Sequence, residues 1–221
     1  MGKRGPRPRG QIKIKWSSEF SYALGLLTTD GCLSDDGRHI SFVSKDREQI
    51  EHFSQALRLF NKTSRHVSGY NGSKAYRLQF GDVLFYRFLL GIGLTPAKSK
   101  TLGEVIIPDK YFFHFLRGVF DGDGYSYSYW DKRWRSSFMF YVGFVSASYK
   151  HILWLRGRLK NLLGLIGHIT KTKDASCHQL KYAKLEATKI IRKMYPSKSV
   201  ICLLRKRLKI EKMLGIVGKR L

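Results

Sequence analysis

Two nonapeptides in this 221-residue chain end in the same pair of residues, ALGLLTTDG at 23–31 and LRGVFDGDG at 116–124. The acids are Asp30 and Asp123. Each closes an apolar stretch in which small residues recur four apart, Ser21, Gly25 and Thr29 in the first copy and Gly118 and Gly122 in the second. That spacing lets two helix backbones approach closely along one seam. Packed in parallel, the two helices would bring Asp30 and Asp123 together at their C-terminal ends, where Gly31 and Gly124 suit a left-handed helix stop. A carboxylate there opposes both the helix dipole and its neighbour's charge, so something positive must join it. A hard divalent cation such as Mg²⁺, held by few carboxylates with carbonyls and water, meets that need better than a lysine, because it also explains the two copies. A single Asp-Gly is ordinarily a turn. Its repetition at the ends of two matched helices is what points to chemistry.

The elements that position these acids are also written twice. Beyond the motifs, Phe42/Phe144, Ile50/Ile152, His66/His168 and Leu78/Leu180 keep one constant spacing, nine residues longer than that of the aspartates. The extra residues fall around YSYSYWDKRWRSS and most simply lengthen one β-hairpin. Its alternating aromatics suit hairpin packing better than stacking on single-stranded bases. In the first copy a helix starts at Ser17 or Ser18 and runs through Leu27 until Asp30-Gly31 ends it. HISFVS then turns Ile40 and Phe42 inward and His39 and Ser41 outward. A helix over Arg47–Phe60 follows, then a hairpin whose AYRLQF strand sets Tyr76, Leu78 and Phe80 against Arg77 and Gln79, then a helix over Val83–Leu90. The second copy repeats this order and ends in a terminal helical region. The expected fold is therefore α+β, two pseudo-symmetric αββαββα units whose sheets each keep a polar, basic face. Residues 1–15 read as a basic flexible arm, either lying along phosphates or simply solvated, 16–108 as the first unit and 109–221 as the second.

Composition narrows the partner. The chain carries 41 Lys and Arg against 16 Asp and Glu, a net charge of +25, with 43% hydrophobic residues. Such a chain folds, and its charge fits a polyanion, nucleic acid before an anionic membrane surface. No apolar run approaches the roughly 18 residues needed to span a bilayer, and the basic N-terminus lacks the apolar segment of a secretory signal. Cys32, Cys177 and Cys202 form no CxxC pair, so neither zinc nor a disulfide framework is expected, and a reducing intracellular compartment is (cytoplasm, organelle matrix or nucleus). HExxH, Walker A and GxSxG motifs are absent.

Taken together, the paired motif, the strand and helix order and the charge resemble the LAGLIDADG homing endonucleases, in the form that carries two motifs in one chain. The likeness extends from about Phe20 to the C-terminus. The first copy departs from it with Thr28 where the second has Asp121, but the final acid stands in both. The resemblance implies that Asp30 and Asp123 bind metal with help from the carbonyls of Thr29 and Gly122. It also implies a lysine near each metal: Lys98, with Lys100 as the alternative, in the first half, and Lys206, with Lys198 behind it, in the second. Ser44 and Ser146 match a position that often organises water, although strand-end hydrogen bonding explains them equally well. DNA contacts would come from His39, Ser41, His66, Ser68, Tyr70, Arg77 and Gln79 in the first half. In the second they would come from Lys132, Arg133, Arg135, Ser137, Tyr141, Thr170, Lys173, Gln179 and Lys181. The implied activity is site-specific cleavage of a double-stranded DNA target of roughly 20 bp, one phosphodiester per strand with 3′ overhangs. Mg²⁺ is the expected cofactor, with Mn²⁺ substituting and Ca²⁺ supporting binding without cutting. A monomer with no obligate protein partner and an intron-encoded origin complete the expectation. Two other classes remain open on the same fold, an RNA-binding intron maturase and a DNA-binding regulator without catalysis.

Overall fold

A computed structural model describes residues 10–67, 72, 74–134, 136–172 and 176–221. The first half runs α1 (Ser18–Asp30), β1 (Gly31–Leu33), β2 (His39–Ser44), α2 (Arg47–Leu57), β3 (Thr63–Val67), β4 (Lys74–Gly81) and α3 (Val83–Gly91). The second runs α4 (Phe112–Asp123), β5 (Tyr125–Trp130), β6 (Phe138–Ser146), α5 (Tyr149–Leu163), β7 (His168–Lys171), β8 (His178–Ala183), α6 (Lys184–Met194) and α7 (Leu204–Ile216). Two antiparallel four-stranded sheets result, ordered β1-β2-β4-β3 and β5-β6-β8-β7. The α+β architecture and its repeat are those expected. No described helix is long and apolar enough to cross a membrane.

Local chemistry starts α1 where the sequence indicates, since the Ser17 hydroxyl accepts the Phe20 N–H at 3.0 Å as an N-cap. The sheets are one-sided because directly paired residues of antiparallel strands share a face. Phe42 pairs with Leu78 and Ile40 with Phe80, all four buried, while Ser41 pairs with Gln79 and Val43 with Arg77 on the outward face. The second sheet buries Phe140, Val142, Phe144, Leu180 and Tyr182 in the same way. The added residues lengthen the first hairpin of that sheet: β5 has 6 residues where β1 has 3, and β6 has 9 where β2 has 6.

Four expectations change. The glycines after the motifs are not left-handed: Gly31 has φ −85° and Gly124 φ −73°, both extended. They are needed for space, since a Cβ on Gly31 would lie 2.5 Å from the Leu27 carbonyl oxygen and one on Gly124 2.5 Å from the Phe120 ring. The chain leaves each motif helix straight into a strand folded against its last turn. The second helix ends at Leu57, not Phe60, because Arg58 takes the left-handed conformation and leaves Phe60 exposed. The terminal helical region is two helices, α6 and α7. His66 and His168, equivalent in sequence, are not equivalent in register: His66 lies opposite Ala75, His168 opposite Lys181. β3 and β7 are edge strands with little burial on either side, so no hydrophobic pattern fixes their register.

Within the segment assigned to the basic arm, Gln11 and Ile12 are anchored. The N–H groups of Gln11 and Ile12 donate to Asp82 Oδ2 at 2.7 and 2.9 Å, and Ile12 is buried.

Candidate active site

α1 and α4 touch backbone to backbone. A Cβ on Gly25 would stand 2.2 Å from the Phe115 carbonyl oxygen, and one on Gly118 2.2 Å from that of Tyr22. One turn further, a Cβ on Gly122 would meet Thr29 Oγ1 at 2.0 Å and Asp30 Oδ2 at 2.9 Å. The small-residue seam therefore lays the Asp30 carboxylate against the last turn of α4, beside Asp123. Burial, and then the neighbouring Asp123 charge, push Asp30 up to about 6, while a hydrogen bond from Thr29 Oγ1 at 3.2 Å works against the shift. Burial also raises Asp123, with Lys206 and Lys98 opposing.

Both expected lysines reach these helix ends. Lys98 is buried, and its Nζ donates to the Gly31 carbonyl. Lys206 Nζ donates to the carbonyls of Phe120 at 2.6 Å, Gly122 at 2.9 Å and Gly124 at 2.6 Å, closing the C-terminal end of α4. Burial lowers both ammoniums, Lys206 to about 8. The Gly122 carbonyl, a metal ligand by resemblance, thus already accepts from Lys206, whereas the Thr29 carbonyl is among those a helix end leaves without an intrahelical donor. The alternatives Lys100 and Lys198 are both exposed, and the backbone carbonyl of Lys198 accepts from Arg207 at 2.7 Å.

The donor set suits a hard cation. Two carboxylates, the partly buried Asp30 and the exposed Asp123, lie close enough for the charge of Asp123 to disfavour that of Asp30, with the Thr29 carbonyl beside them, and no group of three His, Cys, Asp or Glu side chains capable of holding a metal occurs among the described residues. Further ligands would come from carbonyls, water and substrate oxygens, as Mg²⁺ accepts.

Some positioning residues escape sequence reasoning. Asp121 is buried, and its Oδ2 accepts from Tyr22 Oη and Leu203 N–H, both at 2.8 Å. Leu203 precedes α7, so Asp121 fixes the start of the helix that carries Lys206. The next two residues are held by the first half: Leu204 N–H faces both Glu48 oxygens at 3.3 Å, and Arg205 pairs with Asp46 at 2.7 Å. Buried Arg117 braces the segment before α7 through the carbonyls of Met194 at 2.6 Å and Ile201 at 2.8 Å. An acid two residues before the motif's last aspartate was the one visible signal.

The expected DNA contacts divide. Arg77, Gln79, His66, Tyr141, Thr170, Gln179 and Lys181 lie on outward sheet rows. Ser41 shares that face but is nearly covered between Cys32 and Gln79. His39 is tied to Asp36 in its hairpin turn, and Gln179 Oε1 accepts from Tyr125 Oη at 2.9 Å. Lys132, Arg133 and Ser137 stand in the β5–β6 loop, where Arg133 pairs with Asp131 at 3.1 Å. Ser68, Tyr70, Arg135 and Lys173 lie outside the described residues. Ser44 and Ser146 serve their strand ends: the Ser44 hydroxyl donates to Gln49 Oε1 at 2.6 Å, and Ser146 Oγ accepts the Ser148 N–H at 3.1 Å.

Residues 18–93 match the model of the LAGLIDADG-like domain. No curated protein matches the chain. Among solved structures, full-length DUF199/WhiA from Thermatoga maritima aligns with 95% of this chain at 13% identity and a TM-score of 0.58, and the chain spans 66% of that protein. The homing endonuclease I-WcaI, bound to its DNA recognition sequence, aligns with 90% of this chain and 88% of its own at 15% identity and a TM-score of 0.59. I-DmoI, in complex with DNA and Mn, aligns with 81% and 97% at 16% identity and a TM-score of 0.52. Residues 18–93 thus match a LAGLIDADG-like domain, and the chain as a whole, with the same order of elements around a second motif in its second half, shares the fold of these LAGLIDADG structures.

Proposed function

We propose that the chain is a site-specific endonuclease that binds a long DNA duplex on the outward faces of its two sheets and hydrolyses one phosphodiester in each strand at Asp30 and Asp123. One observation carries this reading: two carboxylates meet at the ends of packed motif helices, and each helix end receives a lysine, the buried Lys98 at α1 and the half-buried Lys206 at α4. Asp30 and Asp123 would hold divalent cations, Mg²⁺ or Mn²⁺, which when bound supply Lewis-acid activation of water and of a phosphoryl oxygen. Lys98 and Lys206 place positive charge where charge grows on the phosphate in the transition state. The outward rows holding Arg77, Gln79 and Lys181 orient the duplex, because phosphate contacts set register and base-edge contacts set sequence.

A second reading, binding of duplex DNA or intron RNA without cutting, is favoured by one contact: Lys206 already satisfies the α4 carbonyl end, so that half has less need of a cation. Incubation with a randomised duplex library and Mg²⁺ separates the two. Defined double-strand breaks are expected, with binding but no cutting in Ca²⁺. Asp30→Asn and Asp123→Asn should each abolish double-strand cleavage and leave duplex binding within about threefold. Wild-type cleavage by either variant overturns the metal assignment, and intron RNA binding without breaks supports the second reading.

A further inference from the structure

The two outward faces are built from different chemistry. On the first sheet the outward cross-strand rows are His39–Gly81, Cys32–Ser41–Gln79, Val43–Arg77–Ser64 and Ala75–His66, mostly small or polar groups with one guanidinium and two imidazoles and without a tyrosine. On the second, Tyr127 pairs with Tyr141 and Tyr129 with Met139, with Tyr125 opposite Gly143. The rings form one stack. Tyr127 and Tyr141 lie 4.8 Å apart with 9° between their planes, Tyr129 and Tyr141 6.2 Å with 11°, and Tyr125 and Tyr127 6.1 Å with 18°. Gly143 makes room for it, since a Cβ there would stand 2.4 Å from Tyr125 Cζ. The Tyr125 ring therefore lies across β6 and reaches Gln179 on β8.

The core does not need this stack. Phe140, Val142, Phe144 and Leu180 fill the opposite face, and Tyr129 remains 45% exposed. The stack stands between the cations of the β5–β6 loop and Lys181, on the face the proposed function turns toward DNA. In the major groove the apolar group that a base pair offers to such a surface is the C5-methyl of thymine.

We propose that the second sheet reads its half-site through contact of the Tyr127–Tyr129–Tyr141 stack with thymine methyl groups, whereas the first reads by hydrogen bonding from Arg77 and Gln79. This rests on the DNA-binding reading above. The target divides into one half chosen for methyl position and one chosen for donor and acceptor pattern.

The test uses the full chain and duplexes selected for binding from a randomised library in Ca²⁺. Arg77→Ala relaxes base preference in one half of the selected site, which identifies the first half. The other half should be enriched in thymine. Replacing each thymine there by deoxyuridine, which lacks only the methyl, should weaken binding about fourfold per contacted methyl; the same exchange in the first half should change it less than twofold. Tyr141→Phe keeps the ring and should keep the discrimination, and Tyr141→Ser should abolish it. Because the comparison of thymine with deoxyuridine is made on the wild-type protein, it stands even where a tyrosine variant fails to fold. A second half-site without thymine enrichment, or indifferent to deoxyuridine, overturns the proposal and leaves duplex binding intact. Failure to select any duplex overturns the DNA-binding reading and this one with it.

Discussion

The Asp30 carboxyl is held where its charge is disfavoured, and that has a measurable sign. Its folded value of about 6 lies above the ordinary 3.8, so the folded state binds this proton more tightly than the unfolded chain. The stability linked to that proton is complete below about pH 4 and lost as pH rises through about 6. In metal-free protein at pH 8 the ionised group costs up to about 3 kcal/mol. Asp30→Asn should therefore raise the melting temperature in EDTA at pH 8 and leave it unchanged at pH 4; calorimetry at both values checks this, and an equal shift at both would show that the variant acts through packing alone. The two acids were legible because each occurs in a copy of the same nonapeptide. Asp121 was not: in one dimension it is a spare acid in a motif, and its bonds to Tyr22 and Leu203 join residues 99 and 82 positions away. The extended glycines were missed for a related reason, since sequence shows that a Cβ is absent but not whether φ or space requires it.

Between elements, the seam of α1 and α4 is the contact on which the site depends. Gly118→Ala would put a methyl 2.2 Å from the Tyr22 carbonyl oxygen and 2.9 Å from Gly25 Cα, where only backbone can yield. It should destabilise the fold by about 3 kcal/mol or more, read as a lower urea midpoint, because overpacking against backbone finds no side chain to move. Gly157→Ala, with no atom within 4 Å of the new Cβ, is the control, and being helical it should gain slightly. The four-residue spacing of small side chains made this seam legible, as strict alternation did the inner faces of β2 and β4. The edge strands gave no comparable signal, so the His66 and His168 match misled about register. The tyrosines of β5 were read as packing; they do pack, but on the outward face, which alternation alone cannot distinguish from the inward one when both sides of a strand carry aromatics.

At the scale of the whole molecule, charge and anchorage govern how the chain meets a polyanion. Each neutralised phosphate contributes a slope of about −0.9 to log K against log salt. Residues 2–9 hold Lys3, Arg4, Arg7 and Arg9, and the chain enters its fold at Asp82, next to Gly81, which pairs with His39 at the end of the first sheet. Deleting residues 2–9 should make the slope shallower by as much as about 3–4 while base preference is unchanged, measured by DNA titration at several salt concentrations. An unchanged slope would show that the arm makes no phosphate contact.

The start of α7 bears on how such a chain can evolve or be re-engineered. Leu203 and Lys206 are held by α4, but Leu204 and Arg205 between them are held by Glu48 and Asp46 at the head of α2. The two halves are therefore not interchangeable modules: a graft of residues 109–221 onto a foreign first half would bring a helix whose first turn is cut to fit a partner left behind. Recombination that respects this joint must carry Asp46 and Glu48 along with α7, so the unit of inheritance is larger than the repeat.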